Sequence, residues 1–283
     1  YFLTWENVSN LLVYISVSGV MAAGLTVAML LGGLDVSQFA LLSLCMMVIG
    51  ILHKAGQPAY VLILASVAVS AVAGCINAFV ITRMKINPII ATIGMQLVYR
   101  AGAFLLTNGE HVFIKDPVFK AIGYNSFLGL PILTWVMLGV YGILYYILKY
   151  TSFGRKVYAV GGNPTASYLS GISLNKTRFG AYIISATVAG VAAVLLTAQV
   201  SMSLPTAGQG REMDGIAMVI LGGVSLTGGK GRVIGTLLGV LIISVLANGM
   251  TLLSVPAYYQ MLIKGMVLIL AVYVDSLRGN KYN

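Results

Sequence analysis

Charge is scarce in this chain, and negative charge is scarcest. Only seven Asp and Glu residues stand among 283 positions, against seventeen Lys and Arg. With 8% charged and 59% hydrophobic residues, a soluble globular domain is excluded. Cysteine is limited to Cys45 and Cys75, both inside apolar runs, which fits two buried free thiols rather than a disulfide framework. Histidine is limited to His53 and His111, isolated and without ligand spacing, so no metal site is expected. A phosphate-binding loop is missing as well. Its one lookalike, Gly222–Gly231, has Val224 where the leading glycine belongs and Gly231 where Ser or Thr must follow the lysine. Both the phosphate cradle and the magnesium ligand are therefore absent, and the chain hydrolyses no nucleotide. An initiating methionine is lacking too. Tyr1 reads as the start of a processed, truncated or partly ordered chain.

What is present in abundance is long apolar runs bounded by charges, glycines or prolines. They lie at about 9–31, 36–52, 59–82, 89–106, 131–148, 179–200, 213–227, 233–253 and 257–275. Such a chain is an all-α polytopic membrane protein, a single transmembrane domain over residues 1–283. The run at 213–227 is short for a crossing that needs about 20 residues, and reads as a broken or re-entrant helix.

A net charge of +10 could signal nucleic acid, but the basic residues cluster at span ends and report topology instead. Arg83 and Lys85 share one connection. Lys149, Arg155, Lys156, Lys176 and Arg178 share the next but one, Lys230 and Arg232 a third, and Arg278 and Lys281 the C-terminus. Two crossings separate each group from the last, so all face the cytoplasm. The loop 107–130, with its charges balanced, faces outward. Nine spans place Tyr1 outside and the C-terminus inside. Opposite topology of the two halves matches inverted-repeat transporters, with only a short echo between Ala28–Gly33 and Ala217–Gly223 in the sequence.

Between two of these runs lies a polar island, Lys149–Lys176. Asn163 suits an N-cap, Pro164 the first helical position, and Gly171 a left-handed terminus. The product is a helix of about two turns, roughly 10 Å long. Ala166 and Leu169 fall on one face, able to enter a groove on another protein. The same residues also suit a capped loop that only joins two spans.

Several motifs together carry a resemblance. They are Gly154-Arg155 with Tyr158-Ala-Val-Gly-Gly-Asn163, Ala166 and Ser170-Gly-Ile172; Pro205-Thr-Ala-Gly208 with Gly210, Glu212 and Asp214; Leu221-Gly-Gly223; Gly228-Gly-Lys-Gly-Arg232; Asn248-Gly249 with Tyr258-Tyr-Gln260; and Gly33-Leu-Asp-Val-Ser37. In this order they resemble the permease subunits of bacterial ABC importers for ribose and related monosaccharides, including furanose autoinducers. The resemblance implies a vitamin-B12-transporter-like (type II) importer permease with ten spans when intact. It implies a plasma (inner) membrane location, a cytoplasmic C-terminus, and transport by alternating access. It implies as partners a second permease copy or homologue, an ABC ATPase that binds the ATP and magnesium, and a periplasmic or lipid-anchored sugar-binding protein. The chain itself would hold no cofactor, and nucleic acid is no partner. Asn163–Ile172 would be the coupling helix. Its ATPase-coupling residues would be Gly154, Arg155, Gly161, Gly162, Asn163, Pro164, Ala166, Leu169, Ser170, Gly171 and Ile172. Rival readings are a permease for another small polar solute such as a nucleoside, an ion-coupled secondary carrier, and a membrane assembly subunit.

Polar residues inside spans mark pathways or glue helices together. Asn77, Gln96, Gln199, Asn248 and Gln260 are the translocation-path candidates, since amides can bond sugar hydroxyls as donor and acceptor. Arg100 is expected to snorkel outward. Asp35 and Asp214 are expected to cap the helices that follow them, and Glu212 with Arg211 to form part of an outer gate or docking face. Gly32-Gly33 and Gly222-Gly223 either break helices near substrate or make plain turns. Gly231, Gly235 and Gly239 form a ridge for packing within the chain or between subunits. Trp5, Trp135, Tyr141, Tyr145, Tyr146, Tyr258 and Tyr259 read as an interfacial aromatic belt.

Overall fold

The centre of the molecule is a helix that polar residues punctuate without breaking. In the computed structural model of the protein, which describes residues 4–280, this is α9, Leu174–Val200. Alanines and Gly190 fill half of its buried positions. Small side chains let neighbouring backbones approach, and Ser66 Oγ of α3 (Ala59–Thr82) donates to the Gly190 carbonyl at 2.9 Å. α1, Trp5–Leu30, packs against α9 and is buried along most of its length from Ile15 onward. α2 (Gln38–Lys54) and α4 (Pro88–Leu105) complete one side of the bundle.

Each of the nine apolar runs contains a helix. The rest are α6 (Ile132–Tyr150), α10 (Glu212–Leu221), α11 (Val233–Leu252) and α12 (Ala257–Asn280). Six of them, α1, α3, α4, α6, α9 and α11, are long and apolar enough to cross a membrane. α2 and the apolar part of α12 are shorter, and α10 has only ten residues. At 1.5 Å per residue α10 is about 15 Å long, half a hydrocarbon core. It ends where Gly222 and Gly223 turn the chain, as a broken helix does. Tyr1 and Lys281 lie outside the described residues.

The loop 107–130 is more ordered than its sequence suggests. α5, Pro117–Tyr124, is capped by Asp116, whose Oδ1 accepts from the amides of Val118 (2.8 Å) and Phe119 (3.3 Å). Phe119 is buried against α9. β1 (Val112–Phe113) pairs antiparallel with β4 (Met202–Ser203), tying this loop to the one after α9, and β2 (Ser126–Phe127) pairs with β3 (Leu130–Pro131). The glycine ridge packs within the chain. α11 crosses α10 so closely that a Cβ on Gly235 would overlap the Gly222 carbonyl, and one on Gly239 the Met218 carbonyl.

Candidate functional site

The polar island folds into two helices where the sequence predicts one. α7, Ser152–Gly162, starts at Thr151, whose Oγ1 accepts from the Gly154 amide at 3.2 Å. It buries Gly154, Val157, Val160 and Gly161. α8, Pro164–Leu169, follows at once. Asn163 is its N-cap, accepting from the Ala166 amide at 2.9 Å, and Pro164 holds the first position. Gly171, at φ +80, ends it, with Gly171 N bonding the Tyr168 carbonyl and Ile172 N the Ser167 carbonyl, both at 3.0 Å. Ser167 faces inward and Ile172 packs on the core. Ala166 and Ser170 are exposed, and Tyr168 (69%) and Leu169 (80%) stand clear of the bundle. Beside them a cavity of about 350 Å³ runs from Tyr168 to Asn175.

At the end of α7 backbones meet closely. Gly229 N donates to the Leu30 carbonyl at 2.8 Å, joining the α10–α11 loop to the end of α1. Gly161 lies against the same carbonyl, and Gly162 against Gly229, so closely that a Cβ on Gly161 would overlap the Leu30 oxygen. Three segments from both halves of the chain therefore meet directly before the exposed helix.

The five amide candidates do not converge. Asn77 is buried in a directional network: Tyr99 OH donates to Asn77 Oδ1 (2.8 Å), Asn77 Nδ2 to Ser37 Oγ (2.8 Å), and Ser37 Oγ to Asp35 Oδ1 (2.6 Å). A second branch runs from Gln38 through Ser185 Oγ to Asp35 Oδ2. Asp35, in the connection between α1 and α2, is fully buried. Desolvation by burial pushes its carboxyl up to about 6, and the hydroxyl donors oppose that rise. Gln96 Nε2 donates to Glu212 Oε1 at 2.9 Å. Asn248 exchanges two bonds of 3.1 Å with Asn7 of α1. Gln260 bonds the Val255 carbonyl just before its own helix, and Gln199 is half-buried near the end of α9.

Three expectations are corrected. Asp35 does not cap α2, because Ser37 occupies the N-cap and takes up the carboxylate itself. Asp214 does not cap α10 but pairs with Lys264 Nζ of α12 at 2.7 Å. Arg100 does not snorkel: its Nη1 turns inward to Ser43 Oγ (3.0 Å) and the carbonyls of Pro205 (3.0 Å) and Ala207 (2.7 Å). A half-buried guanidinium gains more from three fixed acceptors than from reaching for water.

A cavity of about 30 Å³ lies among α1, α2, α9 and α10, lined by Tyr14, Ser18, Arg211 and Asp214 over an apolar floor. Arg211 stands over the Tyr14 ring at 5.7 Å. None of the five amide candidates lines it. The residues missed from sequence are Tyr14, Ser18 and Lys264. A lone lysine inside an apolar run was a readable signal for the last, since an ionisable group there needs a partner. Among the described residues no three His, Cys, Asp or Glu side chains assemble to hold a metal ion.

A model of the family described as branched-chain amino acid transport system / permease component matches residues 7–272. The chain is 39% identical to the ribose import permease protein of Escherichia coli K12 over 279 residues, covering 97% of this chain and 87% of that protein. It is 38% identical to the ribose import permease protein of Bacillus subtilis 168 over 276 residues, covering 97% and 86%. It is 34% identical to an L-arabinose ABC transporter permease protein of Azospirillum brasilense over 280 residues, covering 99% and 83%. No solved structure matches.

Proposed function

The chain belongs to the family of branched-chain amino acid transport system / permease components, and from that premise we propose that it forms half of the translocation path of an ATP-driven importer for a monosaccharide such as ribose. It is a non-catalytic, multi-pass membrane subunit. The fold is of the vitamin-B12-transporter-like type, with ten spans in the intact protein, set in the bacterial inner membrane with the C-terminus in the cytoplasm. The assembly comprises two permease subunits, two ATPase domains that bind ATP and magnesium, and an external sugar-binding protein. The reading is carried by α8, a capped two-turn helix that leaves Leu169 80% exposed at the end of the bundle where basic loops gather. An apolar residue so placed is a plug for a groove on another subunit.

Energy then reaches the membrane by rigid-body motion. When the ATPase domains close on ATP, α8 moves with them. The backbone junction of Gly161, Gly229 and Leu30 passes that movement to α1 and to the α10–α11 loop. Tyr14, Ser18, Arg211 and Asp214 offer a sugar one aromatic face and several hydrogen-bonding groups along the path. The cavity among them holds about one water in this conformation, so a pentose passes only after α10 and α12 draw away from α1. The A. brasilense relative favours a second reading within this class, in which the pentose is L-arabinose.

The test is ligand-stimulated ATP hydrolysis in proteoliposomes holding the chain, an ATPase and a binding protein, with ribose and L-arabinose compared. Leu169→Asp is expected to remove the stimulation while the melting temperature of the permease stays unchanged. Full stimulation in that variant would remove α8 from the mechanism.

A further inference from the structure

A second polar cavity opens at the same end of the bundle, away from the path. It measures about 760 Å³ and lies where the end of α6, the start of α7 and the start of α11 meet. Three cationic side chains line it: Lys149, Arg155 and Arg232. None of its lining residues is acidic. Two phenols complete the polar wall. Lys149 Nζ lies 2.5 Å from Tyr145 OH, and Tyr158 OH donates to the Gly231 carbonyl at 3.0 Å. The first turn of α11 opens beside the cavity with no side chain capping it, so unpaired amides add to the positive field.

The surface above the cavity is apolar and has a measurable length. Along α11, Ile234, Leu238, Leu241, Ile242 and Val245 are exposed. Their spacing of i, i+4, i+7, i+8 and i+11 puts them on one face of the helix. From Ile234 to Val245 that stripe is about 17 Å long at 1.5 Å per residue, close to half of a 30 Å hydrocarbon core. At the end of α6 it is Tyr145, Leu148 and Lys149 that border the cavity. A cationic cup at the foot of an apolar helix face about one leaflet long matches a phospholipid with an anionic headgroup.

We propose that this cavity binds the phosphate of an anionic phospholipid of the cytoplasmic leaflet, with an acyl chain lying along the exposed face of α11. Charge complementarity favours lipid over a second copy of this chain. A copy would have to bring acidic groups, and the chain has only seven, against seventeen basic ones. Anionic headgroups are abundant at the surface where positive loops gather, and nearby Lys and Arg side chains are attracted to them.

The experiment uses purified permease in neutral detergent, titrated with dioctanoyl phosphatidylglycerol and followed by melting temperature and by native mass spectrometry. Wild type is expected to gain stability saturably and to retain the lipid. Arg232→Gln and Lys149→Gln are each expected to weaken the apparent affinity by about tenfold. Arg83→Gln, which removes the same charge from another connection, should leave it unchanged. If Arg232→Gln fails to fold, Lys149→Gln carries the same readout. The proposal is overturned if phosphatidylcholine stabilises equally, or if all three variants weaken binding alike, since either would reduce the effect to bulk amphiphile or bulk charge. It is also overturned if glycerol phosphate alone saturates the site at equal affinity, or if the variants change oligomeric state without changing the lipid response.

Discussion

At the scale of single residues, Asp35 decides how the α1–α2 break is held. Two hydroxyls donate to it and no cation among the described residues pairs with it, so its burial disfavours the charged form. Its folded pKa of about 6 lies above the ordinary 3.8, so the folded state holds the proton more tightly than the unfolded chain. Stability is therefore greatest below the unfolded value and falls as pH rises from about 4 to about 6, by about 3 kcal/mol in total. Melting curves in detergent across this range should show that decline in wild type, and Asp35→Asn should lack its share of the slope. Identical slopes would mean that Asp35 is solvated. Residue chemistry was legible in the sequence wherever it was local. The roles of Asn163, Pro164 and Gly171 follow from caps within four residues, and α8 has them as expected. Arg100 was not legible, because the carbonyls of Pro205 and Ala207 that draw it inward lie more than a hundred positions away.

At the scale of elements, hydropathy is a signal along one dimension, and each of the nine apolar runs contains a helix for that reason. α7 was overlooked because its apolar positions, Val157, Val160 and Gly161, are few and sit in a polar island, although their i, i+3, i+4 spacing was readable. The β1–β4 pair joins residues about ninety positions apart, and nothing local announces it. The backbone junction at the end of α7 gives a direct test of how elements communicate. Gly161→Ala drives a methyl into the Leu30 carbonyl, and overpacking of this kind costs about 1–3 kcal/mol. Lower melting temperature and weakened stimulation of ATP hydrolysis are expected together, and an unaltered variant would show that the junction yields freely. The Asp214–Lys264 pair gives a second test, across α10 and α12. Lys264→Met removes the ion partner of a partly buried carboxylate and should cut sugar uptake about tenfold. The charge swap Asp214→Lys with Lys264→Asp should recover part of that loss, whereas no recovery would mean that the residues act separately.

At the scale of the whole molecule, the structure joins one end of the bundle to a cavity among its helices. One end gathers the basic loops, the exposed face of α8 and the junction that ties it to α1 and the α10–α11 loop. A small cavity with Tyr14, Arg211 and Asp214 lies among its helices. Family membership makes this a transport subunit of the permease kind. The most direct measurement is uptake of labelled ribose into proteoliposomes holding the permease, its ATPase and the binding protein, with wild type and Leu169→Asp side by side. The account predicts uptake that requires ATP and binding protein, and its loss in Leu169→Asp without loss of fold. Uptake that proceeds without the ATPase and follows an imposed proton gradient would contradict it.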